Sequence, residues 1–229
     1  MLNRILFACC LVSFLAGTVN GQEIPESLKS SLELIGVTFT PCEQYKVDPW
    51  EGQGKWGKYA CEDVTCPLNK FAVVDAEITS LDEQCVIYVY VSGANSVQHG
   101  KLIKDNPAAF GNTKPADLAF NRIKSNFNYG RQLSAATEQD IEDLKMLVQN
   151  QPRDSAKALF NADYMLAYPF NMAGQACRDR FTRTRVIVMG RGGLDIFLYF
   201  VMTDEGIKNF DQYLAETRGM FWFNNEEDN

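Results

Sequence analysis

Histidine is nearly absent from this chain: His99 is the one imidazole in 229 residues. Any triad or dyad that needs a histidine base would have to use it. It sits beside Gly100 in a turn-rich segment, where a solvated loop residue is the simpler reading. No Gly-x-Ser-x-Gly elbow and no His-Glu-x-x-His run occur, so the common serine-hydrolase and zinc-protease patterns are missing. A second long apolar run is missing too. The run within residues 5–16 is too short for a bilayer-spanning helix, which needs about 20 residues, and nothing later is longer. There is also no dense basic stripe. The net charge is −7, which disfavours nucleic acid as a partner and gives no general pull toward anionic membrane.

What is present begins with an address. Arg4 precedes the apolar run, and Val19-Asn20-Gly21 supplies small residues where a signal peptidase wants them. Residues 1–21 therefore read as a signal peptide, followed by one α+β domain at 22–229 that is periplasmic or secreted. The alternative address is a lipoprotein anchored at Cys9, because Leu6-Phe7-Ala8-Cys9 loosely matches a lipid-attachment box. An alternative division places two small subdomains either side of residues 92–114. The 46% apolar content fits a packed globule rather than a disordered chain.

Export changes how the cysteines are read. Cys9 and Cys10 leave with the signal. Cys42, Cys61, Cys66 and Cys85 are disulfide candidates with three possible pairings, and Cys177 is the unpaired candidate. Zinc on the first four is the rival reading, but the Cys61-x4-Cys66 spacing only grazes zinc patterns. No metal and no cofactor is expected.

Hydrophobic period predicts the elements. A helix spans 25–35 and a strand 37–40. Residues 41–69, rich in glycine and cysteine, form an irregular excursion. Strands cover 70–78 and 84–91, joined by a turn at 79–83. In the second, Cys85, Ile87, Val89 and Val91 share one face and Val86, Tyr88 and Tyr90 the other, as in a central strand covered on both sides. A helix opens at Pro115. Another starts after Thr137, with Asp140 as its capping partner and Ile141, Leu144, Leu147 and Val148 as its buried face. A short helix ends near Phe160. Strands follow at 164–169, 181–189 and 194–202, with residues 190–193 as a turn. A helix capped by Thr203 or Asp204 and a closing apolar segment, Met220 to Phe223, complete the chain. The alternation of Met220/Trp222 with Phe221/Phe223 suits a packed strand. The fold class is thus α+β: a largely antiparallel sheet of hairpins flanked by helices.

The stretches Asn161-Ala-Asp-Tyr-Met-Leu-Ala-Tyr-Pro-Phe170, Thr184-Arg-Val-Ile-Val-Met-Gly-Arg-Gly-Gly-Leu-Asp-Ile-Phe-Leu-Tyr-Phe-Val-Met-Thr-Asp-Glu205 and Gly219-Met-Phe-Trp-Phe223 resemble a group of uncharacterised exported proteins of Bacteroidetes over residues 137–223. That resemblance implies export and no particular activity. The order hairpin, helix, closing aromatic segment is also similar to PsbP-like domains. It implies an α/β/α sandwich that binds or assembles rather than catalyses.

The candidate sites follow from residue type. Trp50, Trp56 and Tyr59 lie on a glycine-dotted loop, where exposed rings could stack on a sugar or anchor a protein; packing onto the domain is the plainer role. Arg183 and Arg185 point the same way on a strand and could hold an anion, against pairing with Asp179 or Asp195. Gly190-Arg-Gly-Gly193 could cradle a phosphate, but a strand follows instead of a helix, so a hairpin turn is expected. The carboxylates Asp140, Glu142, Asp143, Asp204 and Glu205 lie near helix starts, where they suit the dipole. The leading expectation is a non-enzymatic exported domain that binds or assembles with a protein or glycan. The alternatives are a carboxylate-dependent glycan hydrolase and a thiol-active protein using Cys177.

Overall fold

The computed structural model describes residues 23–49, 74–92, 120, 123, 138–169, 181–191 and 194–225. These form an α+β structure built on a seven-stranded antiparallel sheet and a two-stranded one. In chain order the elements are α1 (Glu26–Leu34), β1 (Val37–Phe39), β2 (Tyr45–Pro49), β3 (Ala76–Ser80), β4 (Cys85–Val91), α2 (Glu138–Leu147), β5 (Gln149–Asn150), α3 (Arg153–Phe160), β6 (Tyr164–Tyr168), β7 (Arg183–Arg191), β8 (Leu194–Met202), a 3-10 turn (Gly206–Asn209), α4 (Phe210–Thr217) and β9 (Phe221–Phe223). The large sheet runs β2-β3-β4-β8-β7-β6-β5, and β1 pairs with β9.

The period-2 pattern of the central strands builds two cores. Cys85, Ile87, Val89 and Val91 of β4 and Ile196, Leu198, Phe200 and Met202 of β8 face one side. There they meet Leu28 and Leu32 of α1, Ala156 and Phe160 of α3, Tyr213 of α4, and Phe221 and Phe223 of β9. On the other side Val86, Tyr88, Phe197, Tyr199 and Val201 pack with Tyr164, Leu166, Tyr168, Val186 and Val188 of β6 and β7. Ile123 and Phe181 close over this second face. A strand buried on both faces reads as a continuous apolar run, and β8 does. Truncating a ring as deeply buried as Phe200 typically costs about 3–5 kcal/mol.

Local chemistry ends the elements where the chain needs to turn. Gly36, at φ 66°, donates to the Glu33 carbonyl and closes α1 in a conformation that suits glycine. Asn161, at φ 54°, closes α3, and its Nδ2 donates to the Phe223 carbonyl at 2.5 Å, which ties α3 to β9. Thr203 Oγ1 accepts the Gly206 N–H at 2.9 Å, as a capping threonine should, but the segment starts as a 3-10 turn before becoming α4. Two tyrosine–carboxylate bonds then set α4 against the sheet: Tyr213 Oη donates to Asp82 at 2.8 Å and Tyr45 Oη to Glu216 at 2.7 Å.

Several expectations are corrected. Residues 45–49, expected in the irregular excursion, form the edge strand β2, which buries Tyr45 and Val47 while Lys46 points to solvent. Five residues with two charges and a proline carry too weak an alternation to stand out. Thr79 and Ser80 belong to β3 and not to the turn. Leu147 is 43% exposed instead of lying on a buried face. Gly190 and Arg191 pair with Asp195 and Leu194 as strand residues, so the connection to β8 is only residues 192–193. Trp222 points outward at 43% exposure, because a two-stranded sheet has one covered face and Phe221 and Phe223 take it. Thr137, Cys61, Cys66, Cys177, His99, Trp50, Trp56 and Tyr59, and the side chains of Asp140, Ile141 and Leu144, lie outside the described residues. Among the described residues no helix is long and apolar enough to cross a membrane.

Candidate functional site: an apolar groove at one corner of the sheet

The sheet ends in a very short strand. β5 contributes only Gln149 and Asn150, which pair with Ala167 and Leu166 of β6. At this corner the helices above the sheet part, and a groove of 450 Å³ opens between them. Its floor follows from the register. Ile187, Ala167 and Gln149 lie side by side on β7, β6 and β5, with Met165 and Gln151 next along the strands. Ala167 is the small residue on this face, and it leaves the floor deep. Leu159 of α3 and Phe210 and Leu214 of α4 are the apolar walls. Met146, 76% exposed, and Leu147 at the end of α2 form the rim.

Arg185 lines the groove from the same face of β7, two residues from Ile187. It is exposed, and its Nη1 donates to the carbonyl of its neighbour Thr184 at 3.1 Å. Arg183, expected to act with it, is committed elsewhere. Its Nε donates to Asp204 at 2.8 Å, and that same carboxylate accepts from Thr182 at 3.0 Å. These two hydrogen bonds, Thr182 foremost, hold the Asp204 carboxyl below its usual range. Both residues are exposed, so the pair contributes little to stability. The expected partner Asp195 is unavailable to either arginine, because β8 turns it to the opposite face of the sheet.

That opposite face holds two buried acids. Asp195 is fully buried, and burial pushes its carboxyl well above the usual range. It lies over Gly190 together with the Tyr164 hydroxyl, on a row that runs Tyr164, Gly190, Asp195 across three strands. Glu77 of β3 is 3% exposed, and among the described residues its Oε2 has no hydrogen-bond partner. Burial first, then the charge of Asp48 opposite, raises its carboxyl to about 7 despite Lys46 and a bond from Thr79. Glu77 and Asp195 do not make a catalytic pair. They are two strands apart and four residues out of register, which is about 16 Å at ordinary sheet spacings. A glycosidase pair stands no more than about 9.5 Å apart.

Two of the four disulfide candidates are described, and both carry free thiols. Cys42 is half-buried, and Cys85 is buried in the core, where burial pushes its thiol well above the usual value. A thiol held neutral in this way is a poor nucleophile. Among the described residues no group of histidine, cysteine and carboxylate side chains is placed to hold a metal ion.

Of the described site candidates singled out from sequence, the groove contains Arg185. Its floor gave one signal: in the strand from Tyr164 to Tyr168, Met165 and Ala167 alternate with bulkier neighbours, so one strand face carries a gap. Its rim gave another, the adjacent Met146-Leu147 at a helix end, where a helical stripe would accommodate only one of the two.

By architecture the described residues form an antiparallel sheet covered by helices, with an accessible groove at one sheet corner. The chain is similar at the level of fold to the solution structure of cyanobacterial PsbP (CyanoP) from Synechocystis sp. PCC 6803, at a TM-score of 0.37 and 10% identity over 90% of this chain and 96% of that one. No family model and no curated protein matches the sequence.

Proposed function

We propose that this chain is an exported, non-enzymatic domain that captures a small apolar molecule in the groove between α2, α3, α4 and the β5-β6-β7 corner. Export, to the periplasm or the medium, rests on the signal pattern of residues 1–21. One observation carries the binding reading: an open groove floored by Met165, Ala167 and Ile187 is rimmed by large apolar side chains left in water. Contiguous exposed apolar surface around a concavity marks a binding site more often than idle surface. The volume lies within the roughly 300–1,000 Å³ of small-molecule sites. An aliphatic floor suits a hydrocarbon body better than a glycan, which would want aromatic faces and many hydrogen-bonding groups.

The test uses N-phenyl-1-naphthylamine, a neutral fluorophore that brightens in apolar surroundings. The purified chain is expected to bind it saturably with one equivalent. Ala167→Trp, which fills the floor, is expected to weaken binding at least tenfold. Met146→Glu, at an exposed rim position that folding does not need, is expected to weaken it severalfold. An unresponsive wild type overturns the proposal, and so does wild-type affinity in both variants.

A further inference from the structure

Resting on the groove reading, we infer that the natural occupant is a linear aliphatic carboxylate whose acid end is held by Arg185. The apolar floor and walls would take a hydrocarbon chain, but they end at a guanidinium. The other two arginines of β7 are committed. Arg183 is held by Asp204, and Arg191 Nη1 donates to the Asn224 carbonyl at 2.8 Å, fastening β7 to the end of β9. Arg185 instead rests on one carbonyl of its own strand, and among the described residues no carboxylate is paired with it. A guanidinium offers five donors in a planar fork, so one bond to Thr184 leaves a face free for a two-oxygen acceptor.

The groove's acidic lining residue does not cancel this. Asp211 lies in the first turn of α4, where the helix dipole favours a negative charge, and so it belongs to that wall's own electrostatics. The remaining polar lining, Gln149, Gln151 and Ser155, is neutral and lies on β5, after it and on α3. The charged lining is thus Arg185 and Asp211, and the neutral groups lie toward β5 and α3. This matches a molecule with one charged end and a long apolar body.

The experiment is displacement of bound N-phenyl-1-naphthylamine by decanoate and by decan-1-ol, which share a chain length and differ in charge. Wild type is expected to prefer decanoate by about tenfold, the scale of one charge-assisted hydrogen-bonded contact. Arg185→Gln is expected to bring the two competitors level while the fluorophore still binds, and Arg185→Lys to keep part of the preference. Equal displacement by both in wild type overturns the inference but leaves the groove reading standing. So does a preference that survives in Arg185→Gln, and so does failure of decanoate to displace bound fluorophore. Failure of the fluorophore itself to bind removes the groove reading, and the inference with it.

Discussion

Gly190→Ala is expected to lower the free energy of unfolding by about 3 kcal/mol, at the upper end of what overpacking a core costs. A methyl at this position would fall against the Tyr164 hydroxyl and ring, and 2.5 Å from Asp195 Oδ1. Neither neighbour can step aside. Tyr164 is 6% exposed and Asp195 is fully buried, both on strands paired to β7 over their length. The glycine is thus required by the approach of two side chains from either side and not by a turn, since Gly190 is a strand residue. Urea unfolding followed by circular dichroism measures the loss. The double variant Gly190→Ala/Tyr164→Phe, which removes the hydroxyl the methyl meets, is expected to recover part of it. A single variant within 0.5 kcal/mol (about the scatter of an ordinary surface change) would contradict the packing described here.

Glu77→Gln is expected to raise stability by about 3 kcal/mol at pH 8 and to change it little near pH 5. The sign follows from linkage. The folded-state carboxyl titrates at about 7, above its ordinary value of 4.5. Below pH 4.5 the group is protonated in both states and contributes nothing to the balance. Between 4.5 and 7 the folded state holds the proton more tightly, so folding loses ground as pH rises. Above 7 the full cost is present, about 2.5 units at 1.36 kcal/mol each. Glutamine keeps the shape of the protonated acid and carries no charge, so it escapes this cost. Asp75 and Asp195 are also raised by burial and push the wild-type profile the same way. The informative quantity is therefore the difference between variant and wild type in urea midpoints from pH 5 to pH 8. A difference that does not vary with pH would contradict the burial of Glu77.

The sheet was readable because its central strands are long and apolar on both faces. The assignment of alternate β4 residues to opposite faces agrees with the two cores residue by residue. Edges and turns were harder, for identifiable reasons. β2 is an edge strand with charged outward positions, so its alternation is shallow. Gly190-Arg-Gly-Gly193 has turn composition throughout, yet its first glycine is there for Tyr164 and Asp195, a contact between strands that a linear pattern does not carry. Trp222 looked like core because its neighbours are. Its exposure depends on β9 pairing with β1 near the start of the chain, Thr38 lying opposite Trp222, and not with the large sheet. The groove was the least legible feature. Arg185 stood out as one of a local arginine cluster, but only the pairing of Arg183 with Asp204 separates the two. The floor depends on which helices stop short of the β5 corner, and helix ends are set by packing as much as by composition.

The central claim is that ligand enters the groove beside Arg185. Methyl-resolved nuclear magnetic resonance of the purified chain, titrated with decanoate, tests it most directly. The account predicts saturable shifts at the methyls of Met165, Ala167, Ile187 and Leu214, with no comparable change around the outward Trp222. Shifts centred elsewhere, or absent at saturating decanoate, would contradict it.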